Sequence, residues 1–141
     1  MRLDIDTRDL DRFREDLARL TREVPGEMLR VAGSAVEQME SAVTDSTRGA
    51  VRQGTGNLLA GISSETRVTG TGVQGIVKNT ARHAHLVEYG TGGRRQKTTG
   101  RYTGRMPQFA PMRKAADTRW PGLAGSAERE LARLVESLVI R

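Results

Sequence analysis

Cysteine is absent from this 141-residue chain, which excludes disulfides, thiolate nucleophiles and cysteine-based zinc sites. Aromatic residues make up only 4% and hydrophobic residues 36%, so the chain can build no more than a lean core. A core of that kind is often completed by a partner or by further copies of the chain. No apolar run reaches the roughly 18 residues that a membrane-spanning helix needs. The residues up to Phe13 carry acids where a secretory signal has its apolar centre, so export by that route is not expected. Proline occurs only four times, and Pro25 and Pro121 each precede a glycine, a pairing that predicts two helix breaks.

What is present is charge, unevenly placed. The length and the 15.5 kDa mass suit one domain over 1–141, with a net charge of +6. Residues 1–46 hold seven arginines against eleven acids, a net −4, whereas residues 79–120 hold nine basic groups against two acids, a net +7. Residues 47–78 add +3 and the last twenty-one residues balance. A basic middle beside an acidic first third suits nucleic acid, or the acidic face of another copy.

Periodicity gives the elements. Leu3 and Ile5 alternate in a short strand over 2–5, and Thr7 stands at a helix N-cap position. Leu10, Phe13, Leu17, Leu20 and Val24 form a narrow apolar stripe on a charged helix that Pro25 and Gly26 should interrupt. A second stripe of Met28, Val31, Ala32, Ala35, Val36, Met39 and Val43 predicts helix over about 25–45. The pattern leaves open two helices or one long kinked helix. After a turn at Gly54, Thr55 and Gly56, β-branched residues place strands over about 62–69 and 72–78, joined as a hairpin near Gly70 and Thr71. Residues 81–89 read as a short helix or strand-edge element. Residues 92–104 have no apolar periodicity and are expected to be mobile. Pro107 and Pro111 hold the next segment extended, a helix follows over 112–120, and a last helix over 123–138 sets Ala127, Leu131, Leu134, Val135 and Leu138 on one face. The fold class is α+β: a small antiparallel sheet with long helices packed on one face, and a long basic loop.

Catalytic patterns are weak. His83 and His85 lie two apart, which on a helix turns them about 200° from each other, and Glu88 joins only His85. Ordinary surface histidines explain them better than a metal site does. No nucleophile elbow occurs, and the paired acids Asp9 with Asp11 and Glu15 with Asp16 sit on a solvated helix face. The glycines from Gly70 to Gly75 mimic a dinucleotide loop, but a β-rich stretch follows where that motif needs a helix. No enzyme, cofactor, metal or small-molecule substrate is expected.

The richest segment is 83–112. A compact apolar element stops at Gly90 and Thr91, where the chain needs a conformation open to glycine. Five cations follow, Arg94, Arg95, Lys97, Arg101 and Arg105, with no acid and one aromatic, Tyr102. Phe109, between Pro107 and Pro111, then anchors the far end. Such a loop can neutralise phosphates through counterion release, though it lacks the interleaved aromatics of single-strand binders. One loop is a small electrostatic footprint, so contact with an acidic partner is favoured over DNA.

The residues Thr55, Gly56, Asn57 and Leu58, the later hairpin strand with Gly75, Ile76 and Val77, the run from His85 to Thr91, and the segment from Pro107 to Pro111 together resemble the tail-completion (neck) proteins of tailed bacteriophages. The resemblance covers about 55–117, with His83 and Ala84 where a tyrosine and alanine are common, and Met112 where alanine is usual. It implies a non-enzymatic virion protein, assembled in the host cytoplasm, that forms a ring at the head–tail junction. The ring would be hexameric, would complete the tail and would join it to the head. Its implied neighbours are the tail terminator and the head-completion or connector proteins, with possible contact to packaged DNA. A tail terminator or other tail-end protein is the near alternative, and a small non-specific DNA-binding protein is the alternative of another class. In the leading reading Arg94, Arg95, Lys97, Arg101 and Arg105 face the channel or a partner. Glu88, Tyr89, Gly90, Thr91, Phe109 and Pro111 form the loop root and interface, with Glu88 and Tyr89 packing or pairing there.

Overall fold

The computed structural model describes residues 8–51 and 56–139, with side chains from Asp11 onward. The strand expected over 2–5, the cap at Thr7, the side chain of Leu10 and the turn residues Gly54 and Thr55 lie outside the described residues. The architecture is α+β, dominated by two long helices with two small antiparallel sheets.

Helix α1 (Arg8–Ala50) is continuous over 43 residues, about 65 Å at the usual rise. The expected break at Pro25 does not occur. Pro25 is exposed, so the one carbonyl that loses its backbone donor can turn to water, while the apolar face beyond it holds the helix straight through. That face carries Val31, Val36, Met39 and Val43, all buried, as the spacing predicts. It runs one turn past the expected end at 45, and there Thr47, only 1% exposed, satisfies its buried hydroxyl by donating to the Val43 carbonyl at 2.8 Å.

A short helix α2 (Gly56–Ala60) leads into strands β1 (Ile62–Thr69) and β2 (Gly72–Asn79). They pair in antiparallel register from Ile62 opposite Asn79 to Thr69 opposite Gly72, so Gly70 and Thr71 make a two-residue turn. Ser64, Thr66, Gly75 and Val77 share the face that meets α1, and Glu65, Arg67 and Lys78 share the outer one. Gly75 allows the approach: a Cβ there would stand 2.0 Å from Cγ2 of Val36. The Ser64 hydroxyl donates to Glu40 on the same helix.

Helix α3 (Ala84–Tyr89) resolves the choice over 81–89 in favour of helix. Strands β3 (Arg94–Arg95) and β4 (Tyr102–Gly104) form a second small hairpin inside the basic segment. Helix α4 (Pro111–Val139) then runs back along α1 for 29 residues. The break expected at Pro121 and Gly122 is overturned as well. Pro121 is exposed, and the helix is gripped on both sides of it by Ala115 and Leu123, which pack with Met39, Val43 and Ile62 into the central core. Farther along, Arg30 meets Glu130 at 2.5 Å and Leu138 is buried, whereas Val135 is 41% exposed and leaves the expected face.

The two helices differ in reach. Glu130 lies against Arg30, and α4 ends nine residues later, about two and a half turns along. The first turns of α1 therefore extend past α4. There Phe13 is 62% exposed and Leu17 52% exposed.

Candidate functional site

The root of the basic segment is built by backbone geometry. Gly90 ends α3 with φ +72° and donates to the Leu86 carbonyl at 2.8 Å. A Cβ there would crowd the Gln108 nitrogen at 2.9 Å and the Met106 oxygen at 3.0 Å, so glycine is required twice over. Thr91 clamps the returning strand: its N–H donates to the Met106 carbonyl at 2.8 Å, and its Oγ1 accepts from the Met106 N–H at 3.0 Å. The N–H groups of Phe109 and Ala110 both point at the Val87 carbonyl, at 3.1 and 3.3 Å. Phe109 is half-buried, while Ala110 and Pro111 are buried.

Glu88 has a defined task. Its Oε2 accepts from the Met112 N–H and its Oε1 from the Arg113 N–H, each at 3.0 Å. These are unsatisfied donors of the first turn of α4, where negative charge is favoured by the helix dipole. Glu88 thus acts as an N-cap supplied from another helix. The local chain cannot cap itself, because Ala110 occupies the cap position, at φ +47°, with no side-chain acceptor. That missing local cap is the sequence signal that would have pointed to a remote one. Tyr89 differs from the expected packing: it is 75% exposed.

Between the clamps, hydrogen bonds organise the basic hairpin where apolar contacts are lacking. Arg94 pairs with Gly104 and Arg95 with Tyr102 across a bulge. Gln96 donates to the Arg101 carbonyl and Gly100 to the Gln96 carbonyl, both at 2.8 Å, and Thr103 Oγ1 donates to the Arg94 carbonyl at 3.1 Å. Arg94, Arg95, Lys97, Arg101 and Arg105 are all exposed, and among the described residues none of them pairs with a carboxylate. The structure therefore groups these five exposed cations on the hairpin and its flank, with no carboxylate partner among the described residues.

His83 sits before the first turn of α3 and is exposed, as is His85. Glu88 is occupied by backbone amides, so the three do not converge, and no metal-type cluster occurs among the described residues. An apolar concavity lies elsewhere. It has a volume of about 570 Å³ and is floored by Val36, Met39, Val43 and Val77, with Tyr89, Ala116 and Trp120 at its sides. Sequence patterns gave no sign of it, since Trp120 and Tyr89 come to line one groove only through the fold.

A family model for bacteriophage HK97-gp10-like tail components matches residues 11–90, from the early turns of α1 to the glycine that closes α3. The chain belongs to that family. This tail component has no match among curated proteins or solved structures. The matched span contains all but the first three residues of α1, the β1–β2 hairpin and Glu88, and it stops before the basic hairpin and α4. No helix among the described residues is long and apolar enough to cross a membrane.

Proposed function

We propose that this tail component is a structural, non-enzymatic protein that forms a ring at the head–tail junction, completing the tail and joining it to the head. The observation that carries the reading is the basic hairpin: five exposed cations, without a carboxylate partner among the described residues, held at both ends by backbone clamps. An exposed cationic element on a clamped root suits a ring whose lumen or rim meets packaged DNA or an acidic neighbour. The membership in a tail-component family supports a place in the virion. A hexamer would match the symmetry of a tail tube, and the tail terminator and head-completion or connector proteins would be its neighbours.

The test is electron microscopy of a lysate from phage lacking this gene. Full heads beside separate tails of finished length are expected. Overlong tails would mark a terminator, and normal infectious particles would overturn the junction reading. For the DNA-binding alternative, the expected result is no tight duplex binding by the purified chain. Micromolar affinity falling steeply with salt would favour that alternative.

A further inference from the structure

Strand β1 is an open edge. The Thr80 N–H donates to the Gly61 carbonyl at 2.9 Å, which fixes the phase of the β1–β2 ladder. Odd-numbered residues of β1 bond to β2, and even-numbered ones turn their N–H and C=O groups outward. The sheet has only two strands, so among the described residues the outward groups of Ser64, Thr66 and Val68 have no protein partner. Val68 is 65% exposed at that edge. Proline and bulges ordinarily keep a free edge from pairing, and β1 has neither.

The charges on β1 match a second copy of the same strand. Glu65 and Arg67 are exposed neighbours on the outer face. Their own hairpin holds both without using them up: Glu65 lies 3.7 Å from Lys78, and Arg67 donates from Nε and Nη2 to Gln74, leaving Nη1 available. When two β1 edges meet antiparallel, outward residues must face outward residues, which limits the registers. With Thr66 opposite its own counterpart, Ser64 faces Val68, and Glu65 faces Arg67 on both sides of the axis. Moving the axis to Glu65 sets that acid against itself, and moving it to Arg67 sets two guanidinium groups together. Opposite charges across a ladder attract and like charges repel, so one register is selected.

The edge of β2 offers no such match. Its one charge is Lys78, with no acid on β2 to meet across a twofold axis. Set against β1 of another copy, β2 can bring Lys78 to Glu65, but Arg67 then faces the uncharged Ile76. Gly75 and Val77 of β2 also border the groove that Tyr89 and Trp120 flank.

We infer that the β1 edge pairs antiparallel with the β1 edge of a second copy of this chain, about a twofold axis at Thr66. Thr66 exchanges both backbone bonds with its counterpart, and Ser64 does so with the second copy's Val68. Paired Glu65 and Arg67 side chains close the outer face on either side of the axis. The product is a continuous sheet in the order β2, β1, β1, β2, with α1 of both copies on one side. The contact is isologous, so it joins two copies and stops. It stands apart from the ring reading and does not rest on it.

The test is sedimentation equilibrium of the purified full chain beside Glu65→Arg and Arg67→Glu. Both side chains are exposed, so unchanged thermal melting is expected. Alone, each variant sets like charges together on both sides of the axis, and its dimerisation should weaken about tenfold or more. Mixed, the two should dimerise as the parent does, because every charge then faces its opposite. Dimerisation equal to the parent's in both variants overturns the inference, as does a mixture no tighter than either variant alone. A parent chain that stays monomeric at about millimolar concentration overturns it too. Amide hydrogen exchange of the parent supplies the second readout. Protection that rises with protein concentration is expected at Ser64, Thr66 and Val68, while Ser63, Glu65 and Arg67 are already protected by β2. Rising protection at Val73, Gly75 and Val77, with the β1 edge or in its place, overturns the twofold pairing. None of these failures touches the junction reading, which falls only on the lysate experiment.

Discussion

Glu88 shows how one side chain can connect two segments of the site. It lies at the end of α3, yet its carboxylate satisfies two amides of α4 and thereby fixes the far post of the basic hairpin. Replacing Glu88 with alanine leaves those donors to water or unpaired and removes a favourable charge at the helix start. The expected loss is about 1–2 kcal/mol of stability, read from the urea midpoint. An unchanged midpoint would show that solvent replaces the cap at no cost. The acidic residue itself was legible in the sequence, but its partner was not, because Met112 and Arg113 contribute backbone rather than a recognisable side chain. At Gly90 the position was legible in full, since a helix that stops at glycine implies the positive φ observed.

At the scale of elements, the β1–β2 hairpin was readable almost to the residue. β-Branched content and a short glycine-containing turn are local signals, and register follows from the turn. How closely the hairpin lies on α1 was not local. Gly75 sits against Val36, so Gly75→Ala should cost about 1–3 kcal/mol through overpacking. Combining it with Val36→Ala should recover part of that loss, because the smaller residue vacates the space the new methyl needs. Strict additivity in a denaturation cycle would refute this contact. The two prolines carry the opposite lesson. Pro121 was expected to end a helix and Pro25 to separate two helices or kink one, yet both lie inside helices: Ala115 and Leu123 pack on either side of Pro121, and Val31 and Met39 are buried beyond Pro25, which outweighs one missing hydrogen bond. Arg30 adds to the same seam: its guanidinium is held above its ordinary pKa by the hydrogen bond to Glu130 first and Glu27 second. Being a surface pair, it aligns the helices more than it stabilises them.

For the whole molecule, the uneven charge is the property most directly tied to assembly. The −4 block supplies most of α1, and the +7 block supplies α3, the basic hairpin and the start of α4. If these blocks bring copies together, self-association should weaken several-fold between roughly 0.05 and 0.5 M salt, because the screening length shrinks below the span of the charged rim. Native mass spectrometry or light scattering over that range reads the effect. Indifference to salt would remove charge from the account of assembly.

By itself the sequence determined the elements whose causes are local: the stripe of α1, the strands and turn of the first hairpin, the glycine that closes α3, and the grouping of five cations between two clamps. It also determined the family, through the span from Asp11 to Gly90. Tertiary structure alone decided that α1 and α4 pass through their prolines, that Glu88 caps a helix twenty-four residues away, and that Tyr89 and Trp120 flank one groove. The physical reason is the same in each case. A proline's cost, a carboxylate's partner and a groove's walls are set by atoms brought close from distant positions, and burial summed over those contacts is larger than any preference a short window of sequence expresses.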